Sequence, residues 1–274
     1  MKTFVIGDVH GRHAQLRSLL QMIERDAVET DSIVLLGDLI DRGMDVPGVV
    51  NTIRELQREK PEHVRILRGN HEQMLLNFID EGATLWLSNA TGSNCTIEQY
   101  AAASDSSAKA RELLTSGKDF DELRREITKI IPPCDIEFFR KMLLYHEDEH
   151  ALYVHAGLDH GKHPRDTAPH YLLWSRDMDF FKNYKGKPCV FGHTPTPLLP
   201  LRGRVGRHGI YISHSAIGLD TGYMHGSPLS CLQLPDFTLY QAFADNHTAI
   251  HHITAFIPES LRAMSKLTRK QRPD

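Results

Sequence analysis

The sequence predicts an α/β fold with a parallel sheet, and three observations carry that expectation. Short apolar runs alternate with longer stretches whose apolar residues recur at helical spacing. Three of these runs end directly in a polar, glycine-bounded string: Gly7-Asp8-Val9-His10-Gly11, Gly37-Asp38-Leu39-Ile40-Asp41-Arg42-Gly43 and Arg68-Gly69-Asn70-His71-Glu72. The strings follow one another at roughly 30 residues, the length of one strand–helix–strand unit. All three should therefore lie at one edge of one sheet, outside the carboxyl ends of the strands, where such sheets bind ligands.

In chain order, Phe4-Val5-Ile6 reads as a buried strand, followed by a helix with Leu16, Leu19, Leu20 and Ile23 on one face. Ser32 to Leu36 is the second strand. Val46 to Leu56 is the next helix, presenting Val49, Val50, Ile53 and Leu56. Val64 to Leu67 is the third strand and His71 to Ile79 the helix after it. Residues 83–142 break the alternation with a polar stretch, a charged helical run over Ala108 to Ile130, Pro132-Pro133 and a further helix over Ile136 to Leu144. This region reads as a helical insertion able to cap a site. From Ala151 the chain is β-rich: Leu152 to Val154, Cys189 to Phe191, Ile210 to Ile212, Cys231 to Leu234 and Thr238 to Tyr240 imply a second sheet. One domain over 1–257 and a basic, solvated tail over 258–274 complete the expectation, the tail carrying Arg262, Lys266, Arg269, Lys270 and Arg272.

The totals narrow the class. A net charge of −3 gives no reason to expect a nucleic-acid or membrane partner. No apolar run approaches the roughly 18 residues of a spanning helix. The first strand follows Met1 so closely that no signal peptide is expected. The four cysteines, Cys95, Cys134, Cys189 and Cys231, form no paired motif and read as reduced thiols of a cytoplasmic protein.

Two histidines join the three strings from later strand ends, His155 in Val154-His155-Ala156-Gly157 and His193 in Phe191-Gly192-His193-Thr194-Pro195. A solvated loop carboxylate explains any one Asp–His pair. Asp8, His10, Asp38, Asn70, His155 and His193, each at a strand end and in this order, point to a metal site. Oxygen and imidazole donors without a thiolate suit Mn²⁺, Fe or Zn²⁺, and the nitrogens argue against Ca²⁺. Arg42 beside them suits a phosphate. His146-Glu147-Asp148-Glu149-His150 matches the zinc-protease string HExxH but runs straight into a strand, so an acidic connection is expected there instead of a helix. Arg12 and His13 are left outside the site.

The ordered strings GDxHG, GDxxDRG, GNHE, HAG and GHTP resemble the PPP family of metal-dependent phosphoprotein phosphatases, within the calcineurin-like metallophosphoesterases. The bacterial and phage lambda-type serine/threonine protein phosphatases are the most similar group. The resemblance runs from Met1 to about Leu234, apart from 83–142. It implies a four-layer α/β/β/α sandwich and two divalent ions, Mn²⁺ first and Fe or Zn²⁺ next. Asp8 and His10 would hold one ion, Asn70, His155 and His193 the other, and Asp38 both. His71 would be a general acid oriented by Asp41. Arg42 and Arg176, the latter from Trp174-Ser175-Arg176, would bind the phosphate. A hydroxide held between the ions would attack phosphorus, with no covalent intermediate.

The string Leu219-Asp220-Thr221-Gly222 resembles a strand-turn near the end of lambda-type proteins, whereas the tyrosine-bearing loop of the animal enzymes has no match. Pro195 stands where many other metallophosphoesterases carry a second histidine. Symmetrical diadenosine tetraphosphatases usually lack an aspartate at the position of Asp41 and tend to have GNHD. Asp41 and Glu72 therefore favour a protein phosphatase; the expected substrate is a phosphorylated protein, with a small phosphoester as the other candidate. A nucleotide polyphosphate hydrolase and an inactive metal-binding scaffold or phosphoprotein sensor are the rival expectations.

Overall fold

The computed structural model describes residues 1–102, 107–116, 119–159, 162–203, 209–223, 226–259 and 261. Two sheets lie face to face. At the centre of the first, β1 (Thr3–Ile6), β2 (Ser32–Leu35) and β3 (Val64–Ile66) run parallel, with Phe4 opposite Ile33 and Ile33 opposite Val64. Between them lie α1 (His13–Asp26) and α2 (Val46–Glu59), and α3 (Asn70–Glu81) follows β3. The helix signals are local. Leu16, Leu19 and Ile23 form the buried stripe of α1. Asp45 caps α2 by accepting the Gly48 N–H at 2.9 Å, and α3 stops at Gly82, whose φ is +75°.

The insertion folds as α4 (Ser93–Ala102), α5 (Ser107–Ser116), α6 (Phe120–Ile130) and α7 (Pro133–Lys141). The charged run expected over 108–130 is thus two helices. Asp119 starts the second by accepting the Glu122 N–H at 2.7 Å.

The second sheet has the order β4 (Tyr145–Glu147), β5 (Leu152–Val154), β6 (Cys189–Phe191), β8 (Ala216–Gly218), β7 (Tyr211–Ser213). Short helices α8 (Pro169–Trp174) and α9 (Met178–Asn183) cover its outer face. β9 (Leu229–Leu234) and β10 (Thr238–Ala242) depart from the expected second sheet, and β11 (Thr248–His252) is a strand the sequence did not predict. They extend the first sheet, antiparallel, from β1. A strand buried on both faces has the same local pattern in either sheet, so its neighbour is decided by packing.

Alternation sorts the core into three layers. Phe4, Ile6, Leu229 and Cys231 face the helices α1–α7, while Val5, Leu232 and Leu234 face the second sheet. Phe180, Phe181 and Phe191 fill the layer under α8 and α9. The result is the α/β/β/α sandwich, and the insertion shares the first core through Trp86, Ile97, Leu123 and Ile127. Ile253, Ile257 and Leu261 pack between the sheets, which carries the packed chain past the expected start of the tail at 258; the rest of that tail, 260 and 262–274, lies outside the described residues. In the HExxH string, His146 stacks on Tyr153 within the β4–β5 pair, and His150 Nε2 meets the Met1 carbonyl at 2.9 Å, so the string is strand and turn. No helix among the described residues is long and apolar enough to cross a membrane.

Candidate active site

Parallel strands of both sheets end at one edge of the sandwich. β1 leads to Asp8 and His10, β2 to Asp38, β3 to Asn70, β5 to His155 and β6 to His193. The turns there are sharp. His10, Asp38, Asp41, Arg42 and His193 all have φ between +46° and +71°. For residues with a Cβ this left-handed conformation costs roughly 1–2 kcal/mol each, and such strain collects at functional sites. Buried polar contacts hold it. The Glu72 carboxylate accepts N–H bonds from Asp38, Leu39, Ile40 and Gly69 at 2.7–3.2 Å. The Arg12 guanidinium donates to the carbonyls of Asp8, Val9, Gly222 and Pro228, tying the first loop to the turn after β8. At Gly192 a Cβ would run into Asp8 Oδ1, so the β6 loop reaches the first sheet only without a side chain there.

Asp38 sits centrally. Its Oδ2 lies 3.5 Å from His10 Nε2 and 3.8 Å from His71 Nε2, and its Oδ1 lies 3.4 Å from His155 Nε2. Asn70 Oδ1 faces His155 Nε2 at 3.0 Å and His193 Nδ1 at 2.7 Å. Two tight donor groups result, His10–Asp38–His71 and Asp38–His155–His193, each with its atoms within 4.8 Å of one another. Asp8 belongs to neither group. Its carboxylate accepts the His193 N–H at 3.0 and 3.2 Å.

The donor chemistry fits divalent cations. His10 Nδ1 donates to the Ile40 carbonyl at 2.9 Å and His155 Nδ1 to the Leu36 carbonyl at 2.8 Å. A carbonyl only accepts, so each Nε2 keeps its lone pair, the arrangement usual for metal-binding imidazoles. Burial pushes His10, His155 and His193 below the ordinary histidine range, which keeps them neutral. Burial also disfavours the charge of Asp38, but attraction to the neighbouring histidines in their protonated form outweighs it, so that carboxyl gives up its proton well below the usual range. Burial, reinforced by Asp220 and Asp38, pushes Asp8 well up. A bound divalent cation would relieve that crowding of carboxylates.

Beside the donors, His71 Nδ1 donates to Asp41 Oδ2 at 2.6 Å. Burial opposes a charge on His71, yet Asp38 and Asp41 together raise its pKa. The Arg42 fork donates to His10 Nε2 at 2.7 Å, and its other arm lies 3.1 Å from His71 Nε2. Arg176 Nε donates to His193 Nε2 at 3.2 Å from the other side. The strand-end strings, the Arg42 motif and the W-x-R string thus converge on one place.

Several residues at the site were not expected there. Trp86 and Thr96, from the insertion, both bond Asp41. Tyr223 stands with its ring 4.6 Å from the Arg42 guanidinium. It follows the Leu219–Gly222 string by one residue, the only signal that pointed to it. Glu72 spends its carboxylate on backbone N–H groups, so it bears on the loop and not on the substrate. The donors of Arg12 go to carbonyls, while His13 bonds Asp45 and Thr52.

Residues 1–197 match the calcineurin-like phosphoesterase family, a stretch holding every site residue from Asp8 to His193. The chain is 39% identical over 87 residues to serine/threonine-protein phosphatase 1 of Salmonella typhimurium, covering 31% of the chain and 37% of that protein. It is 42% identical over 76 residues to a symmetrical bis(5'-nucleosyl)-tetraphosphatase of Salmonella arizonae, covering 28% and 25%. These matches span between a quarter and two fifths of those relatives' own length. An asymmetrical bis(5'-nucleosyl)-tetraphosphatase, PrpE of Oceanobacillus iheyensis, is 26% identical over 260 residues, 86% of the chain and 90% of that protein. A crystal structure provisionally named a diadenosine tetraphosphatase shares the fold at 18% identity and a TM-score of 0.57, covering 91% and 92%. The family match over residues 1–197, which spans the strand-end loops that hold the donors, makes the chain a member of the calcineurin-like phosphoesterase family.

Proposed function

We propose that the chain is a metal-dependent serine/threonine protein phosphatase. One observation carries the choice of substrate: the buried His71–Asp41 pair, at 2.6 Å, set under the Arg42 fork. A serine or threonine alkoxide is a strong base and needs a proton as it departs, and a general acid contributes about 10²–10⁴-fold in such a case. A nucleotide phosphate leaves as a weak base and gains little from one.

In this reading Asp8, His10, Asp38, Asn70, His155 and His193 hold two divalent ions, Mn²⁺ by preference and Fe or Zn²⁺ otherwise. Such ions, when bound, lower the pKa of water and neutralise charge on the reacting oxygens. The remaining work belongs to side chains. Arg42 and Arg176 hold nonbridging phosphoryl oxygens with charge-assisted forks. His71 carries a proton at Nε2 toward the leaving oxygen. Asp41 accepts the Nδ1–H and so fixes the ring. The proposed location is the cytoplasm, supported by four unpaired cysteines.

A second reading, hydrolysis of a nucleotide polyphosphate, is favoured by the near full-length alignment with PrpE. Turnover of a phosphoserine peptide and of diadenosine tetraphosphate, measured side by side with Mn²⁺, separates the two. The peptide is expected to have the higher kcat/KM. A preference of about tenfold or more for the dinucleotide would replace the first reading by the second. No turnover of either with Mn²⁺ supplied would leave a metal-binding scaffold.

A further inference from the structure

The loop that carries Asp41 and Arg42 is gripped by the insertion. Asp41 N–H donates to Thr96 Oγ1 at 3.0 Å, and the same hydroxyl donates back to Asp41 Oδ1 at 2.6 Å. Trp86 Nε1–H donates to Asp41 Oδ2 at 3.0 Å. The Arg42 N–H donates to the Gly92 carbonyl at 3.2 Å. Gln99 accepts the Val46 N–H at 2.6 Å and donates to the Gly43 carbonyl at 2.8 Å. Gly92 has φ +75°, and a Cβ there would lie 2.7 Å from Arg42 Cγ, so the close approach needs glycine. Asp41, Trp86 and Thr96 are all fully buried, which leaves no water to replace a lost donor.

The Asp41 carboxylate therefore has three donors. His71 meets Oδ2, Thr96 meets Oδ1, and Trp86 bonds Oδ2 from the insertion side. The two insertion donors fix the plane of the carboxylate. Thr96 also satisfies the N–H of a residue held at φ +71°. Removing either donor frees the carboxylate to turn from His71 or leaves a buried polar group without its partner.

We propose that Thr96 and Trp86 are positioning residues for proton delivery, and that the insertion thereby sets which leaving groups the site can expel. The inference rests on His71 being the acid. A water oxygen bonds to phosphorus as it loses a proton, the ester P–O bond breaks with its electron pair on the departing oxygen, and that oxygen takes the proton from His71 Nε2, which the water's proton then restores. An ester with a strongly basic leaving oxygen depends on that transfer and so on the held carboxylate. An activated aryl ester does not.

The test compares kcat and KM on a phosphoserine peptide and on p-nitrophenyl phosphate for Thr96→Val, Thr96→Ser, Trp86→Phe and His71→Asn, with Mn²⁺ content measured for each. Thr96→Val and Trp86→Phe are expected to lower kcat on the peptide by about 10–100-fold, the size seen when an outer supporting partner is lost. Their aryl phosphate rates should fall far less, with KM and metal content near wild type. Thr96→Ser should restore the peptide rate, because it restores the hydroxyl. His71→Asn should show the same bias more strongly. Equal losses on both substrates in Thr96→Val and Trp86→Phe, or no loss on either, would overturn the positioning role while leaving His71 as acid. Equal losses in His71→Asn would remove the acid itself, and the positioning role with it. Should Thr96→Val fail to fold, Trp86→Phe decides alone, since it keeps a ring against Phe78.

Discussion

The loops of residues 1–82 carry Asp8, His10, Asp38 and Asn70 on sharply turned backbone, whereas the insertion that braces them is built of regular helix. His10, Asp38, Asp41 and Arg42 sit at positive φ, while the described part of the insertion has positive φ only at Gly92. The first region bends the chain hard so that side chains at neighbouring strand ends converge. Its own bracing comes from Glu72, which holds residues 38–40. The insertion contributes no member of the two donor groups, yet its side chains hold residues 41–46. Donors and their supports are thus separate parts, and each can be broken without the other.

The largest effect should come from Asp38→Asn. One carboxylate faces both donor groups, so losing its charge weakens both at once. We expect kcat/KM on a phosphopeptide to fall by about 10³ or more, together with loss of bound Mn²⁺. If the wild-type protein binds one ion at saturating Mn²⁺ with full activity, the two-ion assignment is wrong.

His71→Asn comes next, at about 10²–10⁴ on a phosphoserine peptide. His71 Nε2 is close enough to Asp38 to act as a ligand, so metal analysis is the sharper half of this measurement. Unchanged ion content with a lost alkyl-ester rate marks an acid; a lost ion marks a ligand.

Arg42→Ala and Arg176→Ala each remove a guanidinium from the site, and the loss of one donor aimed at developing charge costs about 10²–10³. Both substrates should suffer alike, unlike the insertion variants. A wild-type rate for Arg176→Ala would leave Arg42 as the sole clamp, because Arg12 has given its donors to carbonyls.

The smallest catalytic effect belongs to Ile127→Ala, in α6 of the insertion and fully buried. It should cost about 2–5 kcal/mol of stability, measured by denaturant unfolding, without changing the ratio of alkyl to aryl phosphate rates. A shifted ratio would mean that the insertion acts through its packing as a whole and not through Trp86 and Thr96.

The helix faces of α1 and α2 and the strands before Asp8, Asp38 and Asn70 could be read from residue spacing. Periodicity and glycine-bounded turns are properties of consecutive residues. The same holds for His155 and His193, each placed just after an apolar run. Trp86 and Thr96 were not legible as site residues. They lie 45 and 55 residues from Asp41, on elements whose apolar spacing reports only the core. Nor was Tyr223, whose loop Arg12 ties to the first one beside Arg42.

By itself, then, the sequence determined the α/β class, the edge of the sheet that carries chemistry and the side chains that meet there. A donor at a strand end is specified by its immediate neighbours. The tertiary structure alone decided that β9 and β10 join the first sheet and that an insertion steadies Asp41. It also decided that Glu72 and Arg12 spend their charge on backbone groups. Strand neighbours and hydrogen-bond partners are chosen by proximity in the folded chain, and no period or fixed spacing records them.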